Sequence, residues 1–191
     1  EKGRRRESHM GDKTAIEWTD ATWNPIRGTK GTWSCVKISE GCQHCYAERL
    51  NERRGGPPYA VGKDTLRLDE PILTQPLRWK RPRRIFVCSM TDLFEERVPD
   101  EWIGQVFGIM LATRDSHTYQ VLTKRAERLH GFISKYFSPG GPLHPWPLLN
   151  VWLGVSVENQ ARADERIPWL LQTPAAVRFL SVEPLLTGVD L

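Results

Sequence analysis

The sequence predicts an α/β fold: a parallel, partial (β/α) barrel of about five βα units, with no sixth unit visible. Three observations carry this expectation. Short apolar runs alternate with segments of helical periodicity, as in βαβ units. Polar residues follow every apolar run. Three cysteines, Cys35, Cys42 and Cys45, form a C-x6-C-x2-C run that opens directly into a helix-like segment.

Residues 1–13 are set apart as an expression scar, ending Ser8-His9-Met10, and a disordered N-terminus. A single domain over 14–191 follows. It opens with Trp18, Trp23 and Trp33, a turn at Asn24-Pro25, and glycines at 28 and 31. A first strand is expected near Thr32 to Cys35, feeding the cysteine loop and its helix. The second unit pairs the run Arg84 to Ser89 with a helix over about Pro99 to Thr113. There Ile103, Val106, Phe107 and Met110 recur at i, i+3, i+4 and i+7, with acids in the first turn.

The third unit pairs Thr118 to Leu122 with a helix from Arg125 to Phe137, on which Leu129, Phe132, Ile133 and Tyr136 share a face. A Pro/Gly-rich loop over 138–149 leads to the strand Val151 to Val157. The next helix, Gln160 to Gln172, is expected to start or bend at Pro168. A last strand covers Val177 to Val182. Residues 55–84, rich in Gly and Pro, read as an irregular surface excursion.

With 191 residues, the chain has room for one sizeable core. It is 39% apolar and 26% charged, with no apolar run long enough to cross a membrane, so no membrane partner is expected. Half of its formal charge of +4 comes from residues 1–10, where Lys2, Arg4, Arg5 and Arg6 face Glu1 and Glu7. Overall basicity therefore argues little for nucleic acid. The local run Arg78, Lys80, Arg81, Arg83 and Arg84 is the candidate nucleic-acid surface, with Trp79 as a stacking face. Read blandly, it is a solvated basic face. Four cysteines, three of them in one loop, suit a metal or redox site in a reducing compartment, with the cytoplasm as default address.

Parallel α/β folds bind ligands beyond the carboxyl ends of their strands. The polar residues there are Ser89, Thr91 and Asp92, then Thr123, Lys124 and Arg125, then Ser156, Glu158 and Asn159, and last Ser181 and Glu183. Asp92, Glu158 and Glu183 also fit as helix-capping acids, and Cys88 as core packing. Three thiolates without an obvious fourth suit a [4Fe–4S] cluster with one open iron. Zinc would need a further ligand, such as His44 or Cys88. Both metals stay open.

The cysteine loop and its polar strand ends resemble the radical S-adenosylmethionine superfamily. More closely, Trp18-Thr19-Asp20, Trp23-Asn24-Pro25, Cys45-Tyr46-Ala47, Phe86 to Phe94, Leu122 to Arg125 and Ser181 to Pro184 look like an uncharacterised phage and mobile-element family. That likeness covers nearly all of 14–191. The superfamily resemblance implies a [4Fe–4S] cluster on Cys35, Cys42 and Cys45, and reductive cleavage of S-adenosylmethionine fed by an external electron donor. It implies cofactor binding by His44, which takes the place of the usual aromatic, and by Ser89, Asp92, Ser156 and Asn159. Lys124, Glu158 and Glu183, at the strand ends, are the candidate catalytic groups, and the phage-family likeness together with the basic segment points to a nucleic acid or nucleotide as substrate. The usual first cysteine gap is three residues where this chain has six, and Ser89-Met90-Thr91 stands where a glycine-glutamate pair is usual.

Overall fold

The apolar runs become the strands of one parallel sheet. The computed structural model describes residues 14–28, 31–59 and 65–191; the expected scar and N-terminus over 1–13 lie outside the described residues. The chain begins with β1 (Ala21–Trp23), β2 (Ile26–Arg27), α1 (Tyr46–Arg53), β3 (Arg67–Leu68) and α2 (Glu70–Leu73). It continues through β4 (Arg83–Val87), α3 (Asp100–Ala112), β5 (His117–Thr123) and α4 (Ala126–Tyr136). It ends with β6 (Val151–Ser156), α5 (Gln160–Gln172) and β7 (Val177–Ser181).

The sheet runs β1-β4-β5-β6-β7, every neighbouring pair parallel, while β2 and β3 form a separate antiparallel pair. Spatial order equals chain order, so crossovers of one hand place successive helices on one face. Among the described residues, β1 and β7 are edges and the sheet is not closed.

Register explains the two faces. Ala21, Ile85, Tyr119 and Val151 lie in one row and Trp23, Val87, Val121 and Leu153 in the next. All eight are fully buried. Each large one contributes about 1.5–3 kcal/mol over its exposed state. On the helical layer Phe107 of α3 meets Phe132 of α4 at 5.5 Å, and His130 meets Trp169 of α5 at 5.4 Å. The alternate row, Phe86, Gln120 and Trp152, points the other way. There Trp18 packs 4.8 Å from Phe86 on β4 and 6.4 Å from Phe179 on β7. Those strands would stand ~14 Å apart in a flat sheet. One indole reaching both means the sheet curls around it.

Two expectations need correcting. The first strand is Ala21–Trp23; Thr32 to Cys35 belongs to no strand. The ladder at β1 is extended by Asp20 N–H to Arg84 O and Cys88 N–H to Trp23 O, at 2.9 and 2.8 Å. The described residues of the 55–84 excursion hold β3, α2 and a 3-10 turn over Gln75–Arg78, and they bury Leu66 and Leu73. Asp69 caps α2 by accepting from Ile72 N–H, and the Trp23 indole donates to Ile72 O at 2.7 Å. α5 runs over the expected Gln160–Gln172 with Pro168 inside it.

Gly154 sits between Leu122 and Phe179 in the register, and a Cβ there would come within 2.5 Å of the Phe179 ring. Gly154→Ala is expected to lower stability by about 1–3 kcal/mol in a urea titration. An unchanged midpoint would mean that the ring swings away freely.

Candidate functional site

The stretch from Trp33 to Cys45 pairs with no strand, so side chains from neighbouring loops hold it. Asn51 on α1 accepts from Trp33 N–H at 3.0 Å and donates to Trp33 O at 3.1 Å. Thr91, after β4, donates to Ser34 O at 3.1 Å. Arg125, after β5, donates to Val36 O at 3.1 Å. The Ser39 hydroxyl donates to Glu158, after β6. A 3-10 turn over Glu40–His44 then presents Cys42, and α1 begins directly after Cys45.

A cavity of about 500 Å³ opens beyond the carboxyl ends of the strands. That is the size of a small-molecule or cofactor site. Trp18, Phe86 and Leu122 give it apolar lining from the inner face of the sheet. Cys35, Cys42, Cys45 and His44 reach it from the cysteine loop. Ser89, Asp92, Lys124, Ser156 and Glu183 reach it from four other loops.

All four cysteines are free thiols. Cys35 and Cys45 pack against a small cluster, Trp33, Ala47, Tyr59 and Met90, that is separate from the main core. Burial, and then the charge of Asp92, pushes the Cys35 thiol up to about 12. Cys42 Sγ lies 3.6 Å from Ser39 Oγ. Among the described residues, no three His, Cys, Asp or Glu side chains are gathered closely enough to hold a metal ion. The triad therefore shares a cavity without forming a closed set. In such loops the metal itself supplies part of the ordering energy. Three free thiols on one loop, facing a common cavity, remain a donor set of the right chemistry for an iron–sulfur cluster.

Cys88 packs in the main core as expected. It lies just past β4 with φ at 53°, a left-handed conformation that is strained for a non-glycine residue, and it lines the same cavity. Its thiol is buried, which raises its pKa. The turn it starts is fixed by Asn24, whose Oδ1 accepts from Met90 N–H at 3.0 Å and Ser89 Oγ–H at 3.2 Å.

Not every polar strand end faces the cavity freely. Asp92 lines it, yet its carboxylate accepts from Thr123 Oγ1 at 2.7 Å, Phe94 N at 2.9 Å, Lys124 N at 3.0 Å and Arg125 at 3.1 Å. It shapes two loops. Glu158 is fully buried behind the wall, paired with Lys124 at 2.9 Å and Arg166 at 2.8 Å. Burial alone would raise its pKa. Hydrogen bonds from Ser39 and Lys124, with the charges of Lys124 and Arg166, outweigh that and hold it below the ordinary value. Asn159 also lies off the cavity and caps α5, accepting from Arg162 N–H at 3.0 Å. Lys124 and Glu183 are the expected catalytic residues that reach the cavity wall.

Two residues escaped the sequence reading. Tyr46 is 52% exposed beside the cavity, with its hydroxyl donating to Ser89 O at 2.8 Å. Its place beside Cys45 was the one available signal. Arg166, buried in α5, had none, because an arginine at that spacing reads as surface. The basic run leads into β4, whose first two residues are Arg83 and Arg84, and therefore sits at the amino end of the sheet, opposite the cavity. There Arg83 stacks on Trp79 at 4.6 Å and Arg84 faces Asp20 at 3.7 Å. Among the described residues, no helix is long and apolar enough to cross a membrane.

The family described as "Protein of unknown function (DUF5131)" matches residues 13–191, and the chain belongs to it. No curated protein and no solved structure matches. The likeness to the radical S-adenosylmethionine superfamily is not among these findings.

Proposed function

We propose that this member of the family is an iron–sulfur protein of radical S-adenosylmethionine type acting on a nucleic acid or nucleotide. One observation carries the reading: three free thiols of the first βα loop and polar groups from the four later strand ends line one cavity. The curled sheet, with strands in chain order, is read as a partial (β/α) barrel whose open edges are β1 and β7. Cys35, Cys42 and Cys45 would hold a [4Fe–4S] cluster. When bound, it supplies the electron, taken from an external donor, for reductive cleavage of S-adenosylmethionine to methionine and a 5′-deoxyadenosyl radical.

The chain's own groups hold and orient. Lys124 brings an ammonium to the wall, where it can meet a ligand carboxylate. His44 and Tyr46 offer rings to a heterocycle at the mouth, and Trp18, Phe86 and Leu122 exclude water. Glu183 lies exposed where a substrate would approach.

A second reading rests on Cys88. As a fourth thiol on the same cavity, it supplies the ligand that a closed zinc site needs. The protein would then be a zinc-stabilised nucleic-acid-binding module without catalytic activity. Anaerobic purification, metal and sulfide analysis, and an absorption spectrum separate the two. A brown protein that releases 5′-deoxyadenosine under strong reduction is expected. A colourless protein with one zinc per chain would overturn the first reading in favour of the second.

A further inference from the structure

The gap between Cys35 and Cys42 spans residues 36–41. Both ends of that gap are gripped. At its start, Val36 O accepts from Arg125 Nη2 at 3.1 Å. Arg125 is itself 5% exposed, with Nε shared by both Glu96 oxygens at 3.0 and 3.1 Å and Nη1 on Asp92 at 3.1 Å. At its end, Ser39 donates to Glu158 Oε1, and a Cβ on Gly41 would lie 2.9 Å from the same oxygen. Glu158 is in turn pinned by Lys124 and Arg166. Only a glycine lets the backbone next to Cys42 pass so close to that carboxylate.

We propose that Arg125 and Glu158 are positioning residues for the cysteines: two buried charged clasps, one from each of two strand-end loops, that span the six-residue gap and set where Cys35 and Cys42 stand. A gap of this length left loose would let the two thiols wander, since backbone without ladder bonds opens readily. Charge-assisted bonds from buried, fully determined side chains are the stronger kind and suit the task. The clasps act on the metal-free loop, so this inference extends the proposed function without needing its chemistry.

The test uses the metal-free, reduced full chain and three variants, with Glu158→Asp as a fourth in the metal titration. Glu158→Gln keeps size and removes charge. Ser39→Ala removes the same contact from the loop side without touching the buried ion pairs, and Gly41→Ala crowds the Glu158 carboxylate from that side. The readouts are iodoacetamide labelling of Cys42 relative to Cys45, followed by peptide mass spectrometry, and amide exchange over residues 36–42. All three variants are expected to label Cys42 roughly tenfold faster and to lose exchange protection over 36–42 alone. Cobalt(II) titration adds a spectroscopic readout: the wild-type thiolate-to-cobalt band should weaken and broaden in the variants, and Glu158→Asp, too short to reach Ser39, should not restore it. Unchanged labelling and exchange in Ser39→Ala and Gly41→Ala would overturn the clasp, even if Glu158→Gln misfolds. Should the wild-type chain take no metal at all, the iron–sulfur reading falls, while labelling and exchange still decide the clasp.

Discussion

Glu158→Ala is expected to destabilise the protein by about 3–5 kcal/mol, because it leaves a buried cation without its carboxylate. Arg166 is 1% exposed and meets Glu158 at 2.8 Å, and Lys124 meets the other oxygen at 2.9 Å. For a chain of this size the loss corresponds to a melting point lower by roughly 10 °C. The effect carries a pH signature. The folded-state pKa of Glu158 lies below the ordinary glutamate value of 4.5, so its stabilisation is fully present above that value. It is lost as pH falls through the folded-state pKa. The gap in stability between wild type and Glu158→Gln should therefore narrow below about pH 4.5. A gap that stays constant down to acid unfolding would show that the charge contributes nothing. Replacing Glu158 and Arg166 together with apolar residues should recover much of the stability, since such pairs largely offset their own desolvation. It should not recover the hold on Ser39, and this separates the fold's need for the pair from the loop's.

Periodicity alone located most of the fold. Ile103, Val106, Phe107 and Met110 do form the buried face of α3, and the runs around Phe86, Val121 and Leu153 are central strands. Both signals come from burial, which repeats along the chain with the period of the element. The misplaced first strand had no such signal. β1 is three residues long and is fixed by pairing with β4, a contact that local pattern does not encode. The short elements within 55–84 escaped for the same reason: α2 rests on the Asp69 cap and the Trp23 indole, not on an apolar stripe.

The site was legible as a list of strand-end loops, but not as roles within it. Lys124, Glu158 and Asn159 read alike in sequence, as polar residues after strands. The structure sends the first to the cavity wall, the second behind it to Arg166, and the third to the first turn of α5. What separates them is the partner that each finds across the fold. Cys88 was read correctly as core, but its left-handed backbone, which brings it to the cavity as well, left no trace in composition.

Cys42→Ala should abolish both cluster and cofactor cleavage while leaving the fold intact. Iron in the anaerobically reconstituted protein should fall from about four per chain to a small residue, because two thiolates cannot fix a cubane in one orientation. 5′-Deoxyadenosine should drop below detection. Cys42 is half-buried and outside both apolar clusters, so the metal-free melting point should move by less than about 0.5 kcal/mol equivalent. Cys88→Ala is the matched control, since it removes a thiol from the same cavity that the open-iron reading does not use. It should keep the brown colour and full iron. In a closed four-thiolate zinc site the two variants would instead lose metal equally, as each removes one of four equivalent ligands. Full iron in Cys42→Ala, or equal loss in both, would remove the open-iron site on which the radical chemistry depends.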